Sequence, residues 1–140
     1  MHARTICHAT EDLERVKQAL RNVVGEEEVR VSRTEGHHGN PIIVLEASVA
    51  DPKAIDEFFH RVDERTVSSM IETLGCRIDD GCNLFLKIDK QAAFLGTVQM
   101  AQNDDVVSVR IKVNAFPARP EVAQGIVKEH LRFALLTEMH

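Results

Sequence analysis

The chain has 140 residues, 44% of them apolar and 28% charged, which fits one soluble domain whose core needs no disulfide or metal staple. No apolar run approaches the roughly 20 residues that cross a bilayer, residues 1–5 lack the apolar core of a secretory leader, and the three cysteines are an odd count for a disulfide framework, so a cytoplasmic protein with no membrane contact is expected. Seventeen Lys and Arg against twenty-two Asp and Glu give a formal net charge of −5, which excludes a non-specific nucleic-acid coat; a site for a polyanion has to be a local patch on an acidic body.

Residues 2–8 read as a strand. Thr10 is placed to cap a helix, with Glu11 and Asp12 where negative charge suits a helix start. Leu13, Val16, Leu20 and Val23 recur at helical spacing, and Gly25 stops the run. Residues 28–34 alternate as a strand, 35–41 have the composition of a loop, and Ile42 to Val49 form a second strand, which together make an antiparallel hairpin. Asp51 before Pro52 is a helix start, with Ile55, Phe58, Phe59 and Val62 as the buried stripe. A further helix is expected from Thr66 to Gly75, carrying Val67, Met70, Ile71 and Leu74. Asp79-Asp80-Gly81 turns into a strand over 83–89. Residues 90–95 read as a helical turn and 96–100 as a strand. Over 106–116, Val107, Val109, Ile111 and Val113 alternate with Ser108, Arg110, Lys112 and Asn114. Pro117 and Pro120 end that strand and open a last helix, which buries Val122, Ile126, Val127, Leu131, Ala134 and Leu135. The pattern predicts a single α+β domain over 1–140, a mostly antiparallel or mixed sheet with helices on one face.

The chemistry follows from parity. Lys87 lies opposite in phase to Leu86 and Ile88, and Arg110 and Lys112 are opposite in phase to their apolar neighbours. Arg30 can join them from the hairpin. Neighbouring strands would put these cations on one face, able to hold phosphates in fixed register. The same residues also suit a solvated face with cross-strand pairs, Glu46 and Asp89 being available partners. With no Trp or Tyr, and with only Phe85 and Phe116 on the parity of the cations, a platform of clustered aromatics is not expected, and recognition of phosphate and shape is. The acidic pairs Glu11-Asp12 and Asp104-Asp105 read as solvated helix starts and connections.

His37 and His38 are adjacent in a glycine-flanked loop and cannot easily face one ion together. Cys76 and Cys82 lie outside common zinc spacings, so no metal and no cofactor are expected. No GxSxG, P-loop, HExxH or GxGxxG motif occurs, and Cys7 and His8, as strand neighbours, point to opposite faces, so no enzyme is expected.

Five motifs occur in order: His8-Ala9-Thr10-Glu11-Asp12, Thr34-Glu35-Gly36-His37-His38-Gly39-Asn40-Pro41, Arg77-Ile78-Asp79-Asp80-Gly81-Cys82-Asn83-Leu84, Lys90-Gln91-Ala92-Ala93-Phe94-Leu95-Gly96 and Asn114-Ala115-Phe116-Pro117. With them the chain, from about residue 3 to 125, resembles the archaeal RNA-binding domain family described as a predicted exosome subunit. The resemblance implies a fold like the large-subunit ribosomal protein that binds 5S rRNA. It also implies RNA as ligand, with exosome or ribosome components as possible partners. The candidate RNA-binding residues are Arg30, His37, His38, Lys87, Lys90, Arg110 and Lys112. The competing expectation is a protein-interaction adaptor or homodimer with no affinity for RNA.

Overall fold

The computed structural model describes residues 1–25, 28–35, 39 and 41–138, with side chains as far as residue 133. In chain order the elements are β1 (His2–Cys7), α1 (Leu13–Val24), β2 (Arg30–Glu35), β3 (Pro41–Ser48), α2 (Pro52–His60), α3 (Glu64–Arg77), β4 (Asn83–Asp89), α4 (Lys90–Phe94), β5 (Val106–Lys112) and α5 (Pro120–Glu138). The strands form one sheet in the order β2-β3-β1-β5-β4, and every neighbouring pair is antiparallel. This is the α+β architecture the sequence predicts.

One parity of each strand except β2 is buried. Ala3, Thr5 and Cys7 from β1, Leu45 and Ala47 from β3, Leu84, Leu86 and Ile88 from β4, and Val107, Val109 and Ile111 from β5 all lie under the helices. The helices supply Leu20, Val23 and Val24, Phe58, Met70 and Leu131 to the same core. Burying one such side chain contributes roughly 1.5–3 kcal/mol. The other parity of β1, β4 and β5 carries Arg4, Phe85, Lys87, Ser108, Arg110 and Lys112, all exposed. The sheet therefore has a roofed face and a bare one.

The helix starts are fixed by aspartates. Asp12, Asp51, Asp63 and Asp89 each accept a main-chain N–H from the first turn of α1, α2, α3 and α4, which satisfies a donor that the helix itself leaves orphaned. Thr10 does not cap α1: the helix begins three residues later, at Leu13. Nor does Gly75 end α3. The helix runs through it to Arg77 and stops because Ile78 turns extended to bridge Leu84.

The expected strand over 96–100 is absent. Gly96 takes φ +89° to leave α4, a conformation that costs glycine least. Val98 then bridges Val62, and Met100 bridges Ile88, each in isolation. The expected strand from 106 runs as far as Lys112, and one further rung of its ladder with β4 follows, the Val113 N–H donating to the Cys82 carbonyl at 2.8 Å.

Candidate nucleic-acid interface

Strand register assembles the bare face. Arg30 is opposite Glu46, Glu46 opposite Arg4, Arg4 opposite Ser108, and Ser108 opposite Lys87, so one row crosses all five strands. In the next row His2 faces Arg110, and Arg110 faces Phe85. Beyond it Lys112 faces Asn83. Four cations expected from parity, Arg30, Lys87, Arg110 and Lys112, thus share one side of the sheet. Arg4 is a fifth, which the strand reading of residues 2–8 passes over. Its alternation is visible in the sequence, but only the register shows that it lies between Glu46 and Ser108.

The acids decide what this face is. Glu46 pairs with Arg4 at 3.7 Å and approaches His2 at 4.0 Å, although it stands opposite Arg30. Asp89 spends its carboxylate capping α4, accepting from the Gln91 N–H at 2.9 Å and the Ala92 N–H at 3.4 Å. Among the described residues, Arg30, Lys87 and Arg110 have no ion pair. Lys112 donates to the Gly81 carbonyl at the end of the sheet. A face merely laced with cross-strand pairs would have consumed these charges. Rows about 4.8 Å apart across strands and about 7 Å along them space the cations as a grid for phosphates.

Lys90 is the exception in the expected set. It is 3% exposed, and its ammonium donates to the Ile6 carbonyl at 2.8 Å and to Glu11 Oε1 at 2.9 Å, and pairs with Asp105 Oδ1 at 2.7 Å. It is a strut between β1, the approach to α1 and the approach to β5, and it offers no charge to a ligand. Burial alone would lower the Lys90 pKa. The hydrogen bonds and charges of Asp105 and Glu11 outweigh it and hold the group above its ordinary value. Burial likewise opposes ionisation of Asp105, while Lys90 and Gln91 donate to it and leave its pKa lowered. Both shifts favour the ion pair. Glu11 and Asp105, read as solvated, are thus half-buried counter-charges to Lys90, which sequence distance (79 residues from Glu11 to Lys90) concealed. His8, Glu11 and Asp105 place ligand-type atoms within 4.8 Å of one another, but the Lys90 ammonium already takes both carboxylates. His37 and His38 lie outside the described residues.

An open antiparallel sheet backed by helices, with three cations of its bare face free of ion pairs among the described residues, has a charge pattern suited to a phosphate-bearing polymer. Comparison with known proteins narrows this: a family model described as RNA binding matches residues 1–113, and the chain belongs to that family of RNA-binding proteins. It is 36% identical over 138 residues, 91% of this chain and 90% of the relative, to the RNA-binding protein PAB1135 of Pyrococcus abyssi. Among solved structures, Mth689, a DUF54 protein from Methanothermobacter thermautotrophicus, superposes with a TM-score of 0.79 at 34% identity, covering 93% of this chain and 95% of that one.

Proposed function

We propose that the bare sheet face binds structured RNA through its phosphates, with Arg4, Arg30, Lys87, Arg110 and Lys112 as the contacts, and that the protein acts by binding and not by catalysis. The observation that carries this is the concentration of five cations on one open face of a chain with net charge −5, of which Arg30, Lys87 and Arg110 have no ion pair among the described residues. Affinity on such a face comes from counterion release and reads the spacing of phosphates. Free thiols at Cys7, Cys76 and Cys82 support a cytoplasmic setting. The resemblance to a family described as exosome-associated, and through it to the 5S-rRNA-binding ribosomal protein fold, supports a place in archaeal RNA processing.

The test is filter binding of a folded RNA at two salt concentrations with Lys87→Ala/Arg110→Ala. The double variant should weaken binding across sequences. Each phosphate left without its cation should flatten the salt dependence by about 0.7–0.9 log units per log unit of salt. A protein-only adaptor would show no RNA affinity at low salt. Unchanged affinity and slope in the variant, with wild-type binding intact, would place the RNA on another surface.

A further inference from the structure

The outer edge of β4 is covered at both ends. The Asp79 N–H donates to the Asn83 carbonyl at one end; at the other, the Ala101 N–H donates to the Lys87 carbonyl and the Asp89 N–H to the Gln99 carbonyl. Strand residues of one phase point their main-chain groups the same way, so Phe85 falls in the gap between these covers. A cleft of about 520 Å³ opens there, between the edge strand and α3, with Phe85, Lys87, Arg77, Cys76, Met100 and Gln102 in its wall. Ligand clefts span roughly 300–1,000 Å³. Phe85 is 46% exposed and forms part of the cleft wall.

The surroundings say what the ring is for. Arg110 is its cross-strand neighbour, and Lys87 stands two residues along. The Arg77 Nε donates to Thr73 Oγ1 at 2.7 Å, which fixes the guanidinium. The cleft lining includes two cations and no carboxylate. An aromatic face, a soft thioether at Met100, an amide at Gln102 and flanking cations together match one nucleotide, with its base stacked and its phosphates neutralised. We propose that this cleft receives a single unpaired base of the bound RNA, stacked on Phe85, so that the protein prefers RNA with a bulged or looped-out nucleotide to a continuous duplex. The proposal rests on the RNA-binding reading above. The paired stem would lie on the cationic rows and the extruded base would turn over the β4 edge.

The probe is an RNA hairpin carrying one bulged 2-aminopurine, compared with the same hairpin fully paired. The chain contains no Trp or Tyr, so the fluorescent base is read without protein background. Wild type should bind the bulged hairpin about tenfold more tightly, toward the lower end of what one stacked base contributes, and quench its fluorescence. Phe85→Leu should lose that preference to within about twofold and lose the quench, while binding the paired hairpin as wild type does. Phe85→Trp should restore both, which a merely structural role would not require. Equal binding of the two hairpins by wild type with unchanged fluorescence, but weakened by Lys87→Ala/Arg110→Ala, would overturn the stacked base and leave RNA binding standing. No binding of either hairpin at low salt would overturn both. If Phe85→Leu failed to fold, the wild-type preference and quench would decide alone.

Discussion

Replacing Lys90 by Met keeps most of the side-chain volume and removes only the ammonium, which separates a strut from an RNA contact. Three acceptors lose their partner: the Ile6 carbonyl, Glu11 and Asp105, at 2.7–2.9 Å. Hydrogen bonds to charged groups contribute about 1.5–3 kcal/mol each, and removing one member of a buried pair costs about 3–5 kcal/mol. Here the carboxylates are not sealed. Glu11 is 21% and Asp105 34% exposed at the side chain, so both recover some hydration, and the cost is reduced accordingly. A destabilisation of about 3 kcal/mol results. At about 3–5 °C per kcal/mol for a domain of this size, Tm should fall by about 10–15 °C. Thermal unfolding followed by circular dichroism, with urea titration to show an unchanged m value, measures it. RNA affinity and its salt slope, taken well below the new Tm, should match wild type. A Tm within about 2 °C of wild type, joined to a flattened salt slope, would refute the strut and return Lys90 to the interface.

The same network sets an acid limit. Because the Asp105 pKa is lowered in the folded protein, its contribution is complete above about pH 4, where an unfolded aspartate titrates, and is lost as the pH falls below that; the urea midpoints of wild type and Lys90→Met should converge there. Lys90, held above its ordinary value, keeps its share up to about pH 10.4 and loses it only beyond, so the gap between the two proteins should stay level from about pH 5 to 9. Phe58→Ala, at a fully buried ring, should cost about 3–5 kcal/mol in urea unfolding. Asp51→Ala, which removes the acceptor for the Lys53 N–H at 3.0 Å, should cost about 1 kcal/mol with RNA binding unchanged.

Period-two alternation is legible wherever one face of a strand is roofed, as in β4 and β5, and it sets Lys87, Arg110 and Lys112 opposite the apolar residues of their strands without any knowledge of pairing. Register is not legible. Arg4 needs the order β3-β1-β5 to become a neighbour of Ser108, and Lys90 needs two loops far away in sequence to become buried. A lysine at a helix start reads as exposed because burial of an ammonium is normally too costly; only the convergence of two carboxylates and a carbonyl reverses that expectation. Helix limits follow the same division. Asp51-Pro52 is a local signal, and α2 starts there. The expected stop at Gly75 yields because an exposed glycine inside a helix costs only about 1 kcal/mol, while the real stop is imposed by the bridge from Ile78 to Leu84.

All six residues of β2 are exposed. It hangs on the sheet by its ladder to β3 alone, with no apolar layer beneath it. Opening such a strand exposes little new surface, so its amides should exchange with solvent far faster than those of β5, whose alternate residues are sealed in the core. The bare face is therefore mechanically graded. Arg110 is anchored on an inner strand that moves only with the whole fold, while Arg30 rides on a margin that can peel and reseat at little energetic cost. A polyanion meeting this face would find one half that dictates alignment and another that conforms to it.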